Sequence, residues 1–240
     1  MEFRNILLIL VIIVLLYLIY KYLAKGSFKA TGLSSGKEML TISTDKLAPS
    51  VGGNSSNFAY SIWFYVDDWN YRYGETKILF ARKSGNLGDS SMLPCPSVEL
   101  GSIENNINVK LAVFGDSTNR NVKTHTCTVE NVPIQRWVNL IVSVYGRSLD
   151  IYLDGKLVRT CVLPGVAKVD NNATVYITPL GGFAGWTSRF KYMPDAINTQ
   201  DAWNIYQDGY GANVLGNTFG SYGVKVALMK ENNEQSSFQF

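Results

Sequence analysis

Histidine is almost absent from this 240-residue chain, cysteine occurs three times, and no long block of one charge sign interrupts it. With a single imidazole, His125, the usual base for nucleophilic or general acid–base catalysis is nearly missing. Cys95, Cys127 and Cys161 stand far apart without a CxxC pair, so together with His125 they do not form a zinc set of ordinary spacing. Lys and Arg number 22 against 19 Asp and Glu, a net charge of +3, which argues against a nucleic-acid partner. An odd cysteine count suits a reducing compartment. The alternative is one disulfide plus a free thiol, which would put these residues on the oxidising side of a membrane.

Apolar side chains are concentrated at the N-terminus. Residues 6–24, wound as a helix, would span roughly 28 Å, close to a hydrocarbon core of about 30 Å. Ile6, Leu10 and Val14 face the lipid in this reading, Tyr17 and Tyr20 sit at the interface, and Lys21 carries its ammonium to the headgroups. Residues 1–26 are therefore expected to be a single transmembrane anchor; a cleaved signal peptide fits less well, because no small-x-small site follows the run. Arg4 and the terminal amine precede the helix, whereas Lys21, Lys25, Lys29 and Lys37 follow it. That bias predicts a domain on the cytosolic-equivalent face. On that face the sequons Asn54-Ser-Ser56 and Asn172-Ala-Thr174 are chance matches.

Residues 27–36 read as a flexible stalk, 37–230 as one β-domain, and 231–240 as a loose polar tail. Phe58 to Val66 alternates, yet Trp63 and Tyr65 make its second face apolar too, the pattern of a central strand covered on both sides. Strands are predicted at 77–82, 97–100, 108–114, 124–129, 137–145, 149–153, 156–158, 174–177, 184–192 and 224–229. Asp154-Gly155 marks a two-residue hairpin, because its turn needs the positive φ that Asp and Gly tolerate. One short helix, Gln200 to Gln207 capped by Thr199, is expected to present Ala202, Trp203 and Tyr206 and to plug the edge of the sandwich.

Asn57 to Val66, Trp137 to Val144, Leu149 to Leu157, and Gly182 to Tyr192 leading to Ile205-Tyr-Gln-Asp-Gly209 resemble, in order and spacing, the concanavalin A-like, laminin-G-like jelly-roll superfamily over about residues 38–210. The resemblance implies an all-β antiparallel jelly-roll sandwich, here preceded by the N-terminal transmembrane helix. Anchor, domain and the tail Gly220 to Val226 together also look like virion proteins of large icosahedral DNA viruses of algae and amoebae. This second resemblance implies a minor capsid or inner-membrane protein, with the lipid bilayer and other capsid or membrane proteins as partners.

That superfamily holds glucanases, lectins, adhesion modules and structural pieces, so residues must decide between them. A retaining glucanase needs two carboxylates about 5 Å apart on one strand face; Glu99 and Glu104 lack that spacing, and the chain is expected to be non-enzymatic. His125 and Cys127 would share a strand face but are expected to be structural. Laminin-G-like domains often hold calcium, for which Asp67, Asp68, Asp89 and Asp116 are the candidate donors, each also placed where a turn favours Asp. No other cofactor is expected. Trp69-Asn70-Tyr71-Arg72-Tyr73 has the composition of a binding rim for a protein or a glycan, or of a packed strand extension. Trp63, Trp137, Trp186 and Trp203 are expected to fill the core, and Gly181, Gly182 and Gly185 to bend strands. The resulting function is a membrane-tethered interaction protein, with a glycan-binding surface lectin as the alternative.

Overall fold

The computed structural model describes residues 14–15, 31–47, 56–84, 93–115, 121–170, 172–211, 225–230 and 233–239. The anchor positions Ile6, Leu10, Tyr17, Tyr20 and Lys21 lie outside these residues, as do Asp89, Asp116 and the sequon at Asn54. Val14 and Leu15 are helical and exposed. No helix among the described residues is long and apolar enough to cross a membrane.

Two six-stranded antiparallel sheets form the domain. The first has the order β1 (Ser34–Ser35), β12 (Ala184–Met193), β3 (Phe58–Asp68), β8 (Trp137–Tyr145), β9 (Ser148–Leu153), β10 (Lys156–Val162). The second has the order β2 (Leu40–Ile42), β11 (Thr174–Ile177), β4 (Lys77–Lys83), β5 (Ser97–Leu100), β6 (Ile107–Val113), β7 (Lys123–Val129). A separate hairpin joins β13 (Lys225–Lys230) to β14 (Asn233–Gln239). The expected β-sandwich is therefore present, and the tail read as loose carries β14.

Alternation builds the core. Phe58, Tyr60, Ile62, Phe64 and Val66 of β3 point inward and meet Leu79, Val98, Val109, Val138, Leu140 and Phe190 from both sheets. Tyr60 packs against Phe80, Phe190 and Tyr192, with ring centroids 5.1 to 5.9 Å apart, distances typical of favourable aromatic pairs. Burial drives its phenol pKa well above the ordinary value, and Arg82 donates to its oxygen at 3.2 Å.

At one side of the sandwich the edge strands β7 and β10 are joined by a disulfide between Cys127 and Cys161, whose Cα atoms are 6.2 Å apart. This removes Cys127 from any thiol–imidazole pair with His125. Of the two readings of the odd cysteine count, one disulfide plus a free thiol is the one present: Cys95 is free and buried.

The stalk assignment, residues 27–36, is corrected over 31–36; 27–30 lie outside the described residues. Ser34 and Ser35 pair with Thr187 and Trp186, and the Thr31 carbonyl accepts from the Arg189 amide at 2.8 Å. Residues 31–36 are thus part of the first sheet, held by the backbone donors that a solvated stalk would leave to water.

The helix, α1, covers Thr199–Gln207, but Asn198 caps it rather than Thr199. The Asn198 side chain accepts from the Asp201 amide at 2.9 Å, and Asp201 accepts in return from the Asn198 amide at 3.2 Å. This reciprocal pair makes a full capping box. Asn198→Ala should cost about 1 kcal/mol, read as a lower midpoint in urea unfolding; an unchanged midpoint would show that packing alone fixes the helix. The helix lies across the outer face of the first sheet, where Ala202 packs on Ile141 and Tyr152. It covers Trp63, Ile141 and Tyr152 on that outer face and also reaches the edge strand β10.

Candidate functional site

The outward residues of β3 define the site. Trp63 and Tyr65 lie on the face opposite the core, and Tyr65 is the register partner of Trp137 on β8 and of Trp186 on β12. A row Trp186–Tyr65–Trp137 therefore crosses three strands, with centroids 5.6 Å and 5.8 Å apart. One step along β3, Trp63 stacks on Tyr206 of α1 at 5.6 Å, and Tyr210 stacks on Trp137 at 4.6 Å. Trp203 touches Tyr206 and completes the surface. Trp63 is buried at 5 % exposure, but Trp186, Trp203 and Tyr210 remain 41 %, 40 % and 47 % exposed.

The expectation that all four tryptophans fill the core is thereby corrected. Trp63 alone is fully buried, beneath the helix and not between the sheets. A strand apolar on both faces reveals that both are shielded, but not whether by a sheet, a helix or a partner.

A polar floor lies under Trp63. Asn139 donates its backbone amide to Asp154 Oδ1 at 2.9 Å and its side-chain amide to Ser61 at 3.2 Å. Asp154 is held in turn by Arg136. Asn139 Oδ1 is buried with no hydrogen-bond partner among the described residues. This floor fixes the β9–β10 turn, whose Gly155, at φ +73, would bring a Cβ to 3.1 Å from the Trp203 ring. Only a glycine lets helix and hairpin approach so closely at that backbone angle.

The rim segment 69–73 is largely occupied by its own framework. Trp69 donates its indole N–H to the Ile103 carbonyl at 2.9 Å, and the buried Lys77 ammonium lies 4.8 Å over its ring. That ammonium also donates to the carbonyls of Trp69 and Tyr71, and desolvation lowers its pKa. Tyr71 donates to the Gly181 carbonyl at 3.2 Å while Lys37 sits over its ring. Arg72, at φ +52, donates to the Leu180 carbonyl at 2.5 Å and pairs with Glu75 at 2.7 Å. Asn70 and Tyr73 are exposed.

Of the calcium candidates, Asp67 and Asp68 end β3, and Asp68 accepts from the Asn70 amide at 2.8 Å, which is a turn contact. No group of three His, Cys, Asp or Glu able to hold a metal occurs among the described residues. Glu99 on β5 pairs with Lys110 at 2.7 Å and accepts from Ser97. Glu104, in the following loop, accepts from Asn106.

A laminin-G-type model, described as the concanavalin A-like lectin/glucanases superfamily, matches residues 41–191. No curated protein matches the chain in sequence. Among solved structures, the receptor binding domain of botulinum neurotoxin D is similar at 13 % identity over 76 % of this chain, with a TM-score of 0.50. The botulinum neurotoxin serotype D ligand binding domain, in complex with N-acetylneuraminic acid, is similar at 14 % identity over 77 %, with a TM-score of 0.51. This chain spans 44 % and 42 % of those two chains, and at such identities the likeness is one of fold.

Proposed function

Because this chain belongs to the concanavalin A-like lectin/glucanases superfamily, whose sandwich serves binding proteins and enzymes alike, we propose from its surface that it is a non-enzymatic binding module. Residues 1–26 hold it at a bilayer, and the aromatic face of the first sheet engages a neighbouring protein. The observation that carries this reading is the row Trp186–Tyr65–Trp137, whose Tyr65 and Trp137 are half-buried while Trp186, with Trp203 and Tyr210 beside it, is open to solvent next to the helix. Trp and Tyr dominate interface hot spots because each removes a large apolar area from water at little entropic cost.

Ring geometry favours a protein over a sugar. A pyranose lies flat on an aromatic face, but Tyr65 is tilted by 60° and 57° against its two tryptophan neighbours, and the faces of Trp137 and Tyr210 are turned toward each other. Interlocking side chains suit such an uneven surface better. The lectin alternative draws its support from the neighbour crystallised with N-acetylneuraminic acid. A virion setting, with capsid or inner-membrane proteins as partners, rests on the resemblance of anchor, domain and tail.

Photo-crosslinking in the native membrane tests the reading. A crosslinker at Trp186 or Trp203 should capture a protein, whereas one at Tyr176 of the other sheet should not. With that partner purified, Trp186→Ala should weaken binding about 30-fold or more, the scale of a hot-spot residue. Capture at Tyr176 alone, or unchanged affinity in Trp186→Ala, would refute the assignment.

A further inference from the structure

Two features are left unused by that reading, the disulfide and the sequon at Asn172. Cys127 lies on β7, the last strand of one sheet, and Cys161 on β10, the last strand of the other, so the bond closes the side where the sheets would otherwise part. Asn172 is exposed in the turn that leads into β11. Its amide donates to Asp170 Oδ1 at 2.9 Å, and the Ala173 amide donates to the Asp170 carbonyl at 3.1 Å. Ala173 is buried and its carbonyl accepts from Arg82. The turn is thus anchored on both sides while its Asn tip is open.

We propose that Asn172 is an N-glycosylation site and that the folded domain faces the lumenal or exterior side of its membrane. The two observations support each other. Cytosolic thiols are kept reduced, so a bond built into the sandwich points to an oxidising compartment, and that is where Asn-x-Thr is read. The contrary signal is Lys21, Lys25, Lys29 and Lys37 outweighing Arg4 and the terminal amine, a difference of about two positive charges. A specific pairing of two cysteines across two sheets outweighs it.

Both covalent steps have their reactants on that side. Thiol–disulfide exchange with an oxidised dithiol protein of the lumen joins the two sulfurs and leaves the donor reduced by two electrons and two protons. The Asn172 amide nitrogen then bonds to the anomeric carbon of a lipid-linked oligosaccharide, the carbon–oxygen bond to the lipid diphosphate breaks, and the amide loses one proton.

The test is translation of the full chain with endoplasmic-reticulum microsomes. Asn172→Gln and Thr174→Ala should each remove one endoglycosidase-sensitive mobility step, while Thr174→Ser, which preserves the motif, and Asn54→Gln should leave that step in place. Alkylation in denaturant should label one cysteine without reductant and three after reduction. A product with no endoglycosidase-sensitive step, a number of steps unchanged in both Asn172→Gln and Thr174→Ala, or three cysteines labelled without reductant overturns the proposal. The inference uses only the membrane-insertion part of the reading above. Glycosylated chain extracted by carbonate refutes the anchor and leaves the site standing, and binding through the aromatic face plays no part in either readout.

Discussion

Cys127→Ala combined with Cys161→Ala lowers the stability of the folded chain by about 3 to 4 kcal/mol and its melting temperature by about 10 °C. The bridge spans 34 residues of sequence, and releasing a loop of that length returns to the unfolded chain an entropy worth roughly 3.7 kcal/mol at room temperature. Position adds to the effect. β7 and β10 are the terminal strands of their sheets, so each is hydrogen-bonded on one side only and is the strand most ready to peel away. Wild-type chain heated in excess reductant should melt with the double variant, and the two substitutions made singly should each give nearly the full loss, because either one opens the bridge. Reduced and oxidised wild type melting together would show that the bond contributes nothing to the fold.

This pairing was not legible in the sequence, for a physical reason. Cys127 and Cys161 become neighbours only after two sheets have stacked, and no spacing rule operates between edge strands of different sheets. What was legible is what alternation and turn chemistry specify locally. The inward run Phe58 to Val66, the strands Ser97–Leu100, Trp137–Tyr145 and Thr174–Ile177, and the Asp154-Gly155 turn all stand where period two and positive φ place them. Edge strands of two or three residues, such as Ser34–Ser35, have too few positions to show a period, and residues 31–36 read as stalk for that reason. The helix boundary was readable, but Asn198 displaced Thr199 as cap because Asp201 stands three residues after Asn198 and closes the box. The candidate surface was the least legible part. Its members come from β3, β8, β12, α1 and the residues after it, and Trp186, Trp137 and Trp203 carry the same side chain whether they face a core or a partner.

One position joins the fold to that surface. Gly185 was readable as a glycine that bends its strand, and in the structure it stands at φ +153 beside a bulge between Ala184 and Gly185, opposite Val66. A Cβ there would come within 1.9 Å of the Tyr65 carbonyl oxygen and 3.0 Å of the Phe183 ring. The first contact is with the backbone of a central strand and no rotamer change relieves it, so Gly185→Ala should cost about 3 to 5 kcal/mol, strain and collision together. The bulge also sets which way the next residue points: it places Trp186 outward beside Tyr65, and a one-residue slip would turn Trp186 into the core. Gly185→Ala should therefore lose both stability and capture by a crosslinker at Trp203, whereas Trp186→Ala should lose that capture and keep its melting temperature within a few degrees. Equal melting temperatures for Gly185→Ala and wild type would mean that β12 can relax at this point, and that the outward placement of Trp186 has some other cause than the close approach of Gly185 to β3.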